Sequence, residues 1–214
     1  MPEKIRTLTN YLSNEQKTDK EIELKKIQKK ILNEMVCPLK DAATNLVFGK
    51  GNPDAPILFI GEAPGQKEDE QGIPFVGAAG RELDKLLSII NLKLEDVYIA
   101  NILKYRPPNN RDPNTEEIER HTPYLIEQIK VIKPKVIVTL GNYSTKFVLG
   151  GFNVTGMKSI GGITHLHGKP IDINVKDIKV KVIPMYHPAA MLYRPQLRKV
   201  LEEDFLAMGQ TLKE

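Results

Sequence analysis

Apolar residues recur along this chain in two rhythms. From Glu21, Leu24, Ile27, Ile31 and Met35 fall three and four apart, which is one face of a helix. The lysines between them form its solvated face. Residues 57–60 are instead a short continuous apolar run, fit for a buried strand, and the run stops at Gly61. Residues 61–77 carry Gly61, Pro64, Gly65, Gly72, Pro74 and Gly77 and read as a loop. Leu83, Leu86, Leu87 and Ile90 restore the helical spacing, and residues 97–100 predict a second strand. A Pro- and Asn-rich loop at 105–114 follows. Asn114 and Glu117 then have the spacing of a capping box. The helix they open is expected to kink or restart at Pro123 and to run on through Leu125, Ile126 and Ile129.

Residues 136–140 predict a third strand, closed by Gly141, and Asn142 is placed to cap a short helix ending at Leu149. Residues 163–184 read as short extended pieces, clearest at 179–183. A loop with His187 and Pro188 leads to a last helix near Pro195, with Leu201, Phe205, Met208 and Leu212 on one face. Strands alternating with helices predict an α/β fold of three layers, helices covering both faces of a central, mainly parallel, four-stranded sheet. One domain is expected over residues 21–214, preceded by a polar extension at 1–20. Such sheets bind ligands at the carboxyl ends of their strands. Three loops are candidates for that edge: 61–77, 101–114 and 184–194.

Composition narrows the classes. The chain has 214 residues, 41% hydrophobic and 27% charged, as in ordinary globular proteins. No apolar run approaches the roughly 20 residues of a membrane span, and residues 1–30 are too polar for a secretory signal. A cytoplasmic protein with no membrane partner is expected. Thirty-one basic against 27 acidic residues give a net charge of +4, compatible with a polyanionic partner and equally with a lysine-rich surface. The single cysteine, Cys37, excludes an internal disulfide.

Neither G-x-x-x-x-G-K-S/T nor G-x-G-x-x-G occurs, which argues against a nucleotide-triphosphate or dinucleotide enzyme. His165 and His167 would share one face of an extended segment, but only Cys37 and His121 are available as further ligands. No metal site is expected there.

Four segments carry a specific resemblance. G-E-A-P-G-Q-K-E-D-E-Q-G-I-P-F-V-G-A-A-G-R-E-L at 61–83, Y-I-A-N-I-L-K-Y-R-P-P at 98–108 and P-M-Y-H-P-A-A-M-L at 184–192 each lie at the end of a predicted strand. With V-F-G-K-G-N-P at 47–53, they resemble family 4 of the uracil-DNA glycosylase superfamily in order and spacing from about residue 34 onward. The resemblance implies removal of uracil from DNA by hydrolysis of its glycosidic bond, leaving an abasic site for base excision repair. It also implies a monomer that binds uracil-containing DNA and needs no nucleotide or redox cofactor.

The residue types suit that chemistry. As the C–N bond breaks, the sugar gains positive and the base negative charge. His187 can donate to uracil O2, or merely orient its own loop. The Asn101 amide can both donate and accept, pairing with uracil O4 and N3–H, or serve as a strand-end turn residue. Phe75 can stack on a flipped base, where stacking is worth roughly 1–3 kcal/mol, or pack in the core. Glu62 and Glu68 are both candidates for placing water or stabilising the sugar cation. The amide of Ala63, where the family often has glycine, can donate to the base. Leu192 can fill the gap left by the flipped nucleotide or pack against the last helix. Arg106, Arg111, Arg194 and Lys199 are candidate phosphate contacts.

Family 4 holds a four-iron, four-sulfur cluster with four cysteines. The corresponding positions here are Glu34, Cys37, Tyr105 and His121, a poor set for soft iron–sulfur chemistry. No iron is expected. The four residues are expected to lie together, Tyr105 and His121 supplying bulk and Glu34 accepting a hydrogen bond from either. The alternatives are a glycosylase for another deaminated base, such as hypoxanthine, and a non-catalytic protein that binds damaged DNA. The presence of both Asn101 and His187 favours catalysis.

Overall fold

The structure, a computed structural model, describes residues 18–212. One sheet is built from β1 (Lys50–Gly51), β2 (Ile57–Gly61), β3 (Tyr98–Asn101), β4 (Val136–Leu140), β5 (Ile171–Val175) and β6 (Ile178–Met185). Their spatial order is β1-β3-β2-β4-β6-β5. β3, β2, β4 and β6 are parallel, and β1 and β5 add antiparallel edges. The four expected strands are therefore the centre of a six-stranded sheet. The two edges lacked a sequence signal: β1 is two residues long, and β5 has no fully buried residue.

The helical segments are α1 (Asp19–Glu34), α2 (Pro38–Ala42), α3 (Gln66–Gln71), α4 (Ala78–Ile89) and α5 (Thr115–Ile132). After them come α6 (Asn142–Leu149), α7 (Val154–Met157), α8 (Ile163–Leu166), α9 (Ala190–Tyr193) and α10 (Leu197–Thr211). Successive strand residues point to opposite faces, and each face has its own core. Leu58 and Ile60 pack with Leu24, Ile27 and Ile31 of α1, Leu125 and Ile129 of α5, and Phe147 of α6. Ile57 and Phe59 pack with Leu83, Leu86 and Leu87 of α4 and Leu201, Phe205 and Met208 of α10. A strand buried on both faces has no polar side to show, which is why β2 reads as a continuous apolar run and β4 as one interrupted only by the buried Thr139, whose hydroxyl bonds that of Thr145.

Several local expectations are corrected. α1 starts before Glu21: Thr18 accepts from the Glu21 amide, and the Glu21 carboxylate accepts from the Thr18 amide. Lys20 donates to the Ile132 carbonyl at the end of α5 (3.0 Å) and pairs with Asp54. Residues 18–20 therefore belong to the folded body, and the rest of the expected extension, residues 1–17, lies outside the described residues. The Asn114–Glu117 capping box forms as expected. α5 nevertheless continues through Pro123 without restarting. Its Pro123 and Glu119 are both exposed, so water can satisfy the carbonyl that proline leaves unbonded. Gly141, not Asn142, caps α6, and the Asn142 side chain accepts from the Ile163 amide. Residues 163–166 are helical rather than extended, so His165 and His167 do not form an extended pair. His167 instead bonds Asp204 through Nδ1 at 2.7 Å.

Phe205 tests the layer architecture. It is fully buried and its ring lies nearly parallel to that of Phe59, centroids 6.2 Å apart. Phe205→Ala is expected to lower unfolding free energy by about 3–5 kcal/mol in urea denaturation. A loss under about 1 kcal/mol would show that α10 is not part of the core.

Candidate active site

Parallel pairing of β2 with β3 sets Gly61 directly opposite Asn101. Both residues end their strands, so both face the loops at the carboxyl edge. A Cβ added at Gly61 would meet Asn101 Oδ1 at 2.3 Å and the Phe75 ring at 3.1 Å. Glycine is required here because amide and ring converge on the space a side chain would take. Asn101 is buried, yet its side chain makes no hydrogen bond to the described chain. Its amide donor and acceptor are free to meet a ligand.

The 61–77 segment is pinned at several points. Glu68 Oε1, on α3, accepts from the amides of Val76 (2.9 Å) and Gly77 (2.8 Å). Asp69 accepts from the amides of Thr44 and Asn45. Lys50 Nζ donates to the Phe75 carbonyl. Phe75 sits at φ +53°, a region that aromatic residues seldom occupy. A Cβ at Gly80 would stand 2.0 Å from the Phe75 carbonyl oxygen, so α4 can approach only because that residue is glycine. The result is a fixed Phe75 ring, stacked on His187 with centroids 5.7 Å apart.

His187 follows β6. A Cβ at Gly141, which follows β4 at φ +98°, would stand 3.3 Å from His187 Cβ. The imidazole Nδ1 accepts from the Ala189 amide at 3.2 Å. In the neutral ring, that bond assigns the proton to Nε2, making Nε2 a donor. Burial pushes the imidazole down to about 4, with Glu68 opposing, so the ring is neutral at pH 7.

Glu62 and Glu68 differ in environment. Glu68 is held by two amides. The half-buried Glu62 carboxylate has no hydrogen-bond partner within the described chain, and burial first and Asp112 second push it up to about 7. The Glu62 carbonyl accepts from the Leu103 amide, tying the motif to the segment after β3. Ala63 packs its methyl against the α1/α5 core.

Outside this centre, Leu192 is 44% exposed on α9, anchored by buried Met191. Arg194 is exposed beside it. Arg106 donates to Asn110 Oδ1. Arg111 is engaged internally, forked onto both oxygens of Glu117 and bonded to the Asp112 carbonyl. Lys199 is exposed, 3.9 Å from Glu203.

The former cluster positions are only partly brought together. Cys37 and Tyr105 are buried in one core, and the Tyr105 and His121 rings meet edge-on, centroids 6.1 Å apart. Glu34 is exposed at the end of α1, its charge felt by Lys30 and Tyr124. The expectation that Glu34 accepts from Tyr105 or His121 is thus wrong: a carboxylate stays in water unless burial brings it a strong partner. His121 Nδ1 donates to the Glu117 carbonyl at 2.7 Å, leaving Nε2 and the Tyr105 hydroxyl buried without partners. One thiol, one phenol and one imidazole do not fit an iron–sulfur cluster, which takes four thiolates. Among the described residues no group of three or more His, Cys, Asp or Glu is arranged to hold a metal ion.

Sequence reasoning passed over three residues. Tyr193, beside Leu192, is 83% exposed. Gly141 was read only as a strand end. Lys104 is fully buried, which nothing in a lysine's identity signals. A groove of about 490 Å³ lies between α5 and residues 152–154, lined by Thr122, Ile126 and Phe152, and includes none of the residues above.

The chain is similar in sequence to known proteins. The family model of the uracil DNA glycosylase superfamily matches residues 48–208. A type-4 uracil-DNA glycosylase of Archaeoglobus fulgidus is 47% identical over 184 residues, 86% of this chain and 90% of that protein. One from Sulfurisphaera tokodaii is 48% identical, covering 85% of this chain and 81% of its own length. One from Thermotoga maritima is 44% identical, covering 78% and 83% respectively. With a match over most of its length and the strand-end constellation of Gly61, Phe75, Asn101 and His187, the chain belongs to the uracil-DNA glycosylase superfamily.

Proposed function

We propose that this protein is a monofunctional uracil-DNA glycosylase, hydrolysing the bond between uracil N1 and deoxyribose C1′. The observation that carries the reading is the convergence of the unpaired Asn101 amide and the Phe75 ring over Gly61, with His187 stacked beyond. A base in duplex DNA cannot reach this edge without leaving the stack. Flipped in, its face lies on Phe75. The Asn101 amide donates to O4 and accepts from N3–H. His187 Nε2–H donates to O2, where negative charge grows as C1′–N1 breaks and the electron pair passes to the base. A neutral donor suits this task, since it stabilises the charge in the transition state without a proton having to be transferred.

Water then adds to C1′. The group that takes its proton must be an ionised carboxylate with free oxygen atoms. Glu62 has them, and burial brings its ionisation into the working pH range, as a general base requires. Glu68 acts differently, clamping residues 76–77 so that Phe75 is held in place. Leu192 and the neighbouring Arg194 face outward, suited to the gap in the stack and to phosphate. Arg106 is a weaker phosphate candidate, and Arg111 must first share its guanidinium with Glu117.

The central test is uracil release from matched single- and double-stranded oligonucleotides under single-turnover conditions. His187→Ala should slow release by about 10²–10³-fold, the scale of one lost transition-state donor, with DNA affinity little changed. A near-normal rate would remove His187 from the mechanism. Asn101→Asp should abolish action on uracil, because an ionised carboxylate cannot donate to O4. Uracil release at the wild-type rate by that variant would refute the edge reading. Glu62→Gln should lose at least about 10²-fold. Glu68→Gln keeps an acceptor for both amides and should stay within about tenfold of wild type. The reverse ranking would exchange the two assignments.

A further inference from the structure

Lys104 is the one fully buried lysine among the described residues, and no carboxylate pairs with it. A lysine in this state is rare, because ammonium desolvation is normally avoided by snorkelling to water. Its Nζ donates to the Asn101 carbonyl at 2.8 Å and lies 3.5 Å from the Phe48 carbonyl. Phe48 belongs to the segment leading into β1, and its carbonyl also accepts from Gln128 of α5. Lys104 therefore ties the end of β3 to the segment beside it, and the residue it grips is the base reader. Simple packing does not require a cation here. A methionine would fill the same volume at no electrostatic cost.

We propose that Lys104 is a positioning residue for base release: its ammonium fixes the Asn101 peptide and sets positive charge behind the base edge, where the departing uracil gathers negative charge. The inference rests on Asn101 reading uracil. A cation held by carbonyls rather than neutralised by a carboxylate keeps its field, and a low-dielectric interior transmits that field farther than water would. His121 of α5 is the titratable group that feels Lys104, and the two charged forms repel. Burial holds His121 down to about 4, so it is neutral where the enzyme works and leaves the Lys104 charge unopposed. A charged side chain at position 121 would drive the proton off Lys104 or compete for it.

The sign of the pH dependence is fixed. Burial pushes Lys104 down to about 7, so the ammonium is present below that pH and lost above it. Glu62, pushed up to about 7, does the opposite and gains its charge as pH rises. The wild-type single-turnover rate should therefore be bell-shaped with a narrow maximum near neutrality. Because the unfolded chain holds its lysine proton to higher pH than the folded one, this burial weakens the fold most below pH 7, and the cost fades as pH rises.

The experiment compares wild type with Lys104→Met and Lys104→Gln, measuring single-turnover release and DNA affinity from pH 6 to 8.5, and thermal unfolding at pH 6.5. Both variants should be about 10- to 100-fold slower at pH 6.5, the range typical of groups that orient a catalytic side chain. DNA affinity should hardly move. The falling limb above pH 7 should disappear in both while the rising limb remains. Lys104→Met should melt at the same temperature as wild type or higher. A rate within threefold of wild type, an unchanged falling limb, or losses of rate that merely follow lost stability in both variants would overturn the proposal. A wild-type protein that releases no uracil at all would instead refute the glycosylase reading on which it stands.

Discussion

The structure depends on one register: Gly61 of β2 lies opposite Asn101 of β3. Parallel pairing fixes which residues end together, and those two end at the edge where chain direction opens the sheet into loops. Because Gly61 has no Cβ, the Asn101 amide occupies the space above it, and the Phe75 ring closes against the same point. On the other side of β2, β4 is followed by Gly141, against which His187 is set. A slip of one residue would send Asn101 to the opposite face and scatter the constellation. The two cores on either side of the sheet hold that register, since each strand residue that moved would exchange an apolar environment for the wrong one.

The region around Cys37 is filled by side chains from three distant segments. Cys37, Tyr105 and His121 occupy the interior between α2 and α5 as bulk, in contact with the α1/α5 core. The replacement is not electrostatically ideal. The Tyr105 hydroxyl and His121 Nε2 are buried without partners, and such groups typically cost 1–3 kcal/mol each. Helix ends compensate locally: Lys40 donates to the carbonyls of Leu32 and Met35 at the end of α1, and Arg120 reaches the Val36 carbonyl. These bonds fix the turn that carries Cys37, with cations placed where a helix C-terminus is negative.

Three ionisable groups near the carboxyl edge have been moved from their ordinary ranges by the same cause, burial. It keeps His187 neutral, brings Glu62 to the edge of ionisation and loosens the proton on Lys104. Loss of water destabilises whichever form is charged, so the acid rises while the bases fall. At each of the three positions burial favours the uncharged form.

Much of this was legible in the residues alone. Apolar runs at 57–60 and 136–140 fixed two of the central strands, since only strands buried on both faces dispense with alternation. Asn114 with Glu117 marked the start of α5, because a capping box is a local device complete within four residues. Asn101, Phe75 and His187 stood out as candidates because Asn101 ends a strand and the other two lie in loop motifs after strands, where side chains are often kept for chemistry rather than packing. What lay beyond the sequence were relations between distant segments. The edge strands β1 and β5 exist only because the partners β3 and β6 present free hydrogen-bonding edges. The different surroundings of Glu62 and Glu68 follow from which carboxylate meets the amides of residues 76–77. The exposure of Glu34 and the burial of Lys104 were equally hidden. Residue type and spacing determine local conformation and the chemistry available, whereas solvation and the partners of a charge are set by chain segments far away in sequence, and only the folded packing decides them.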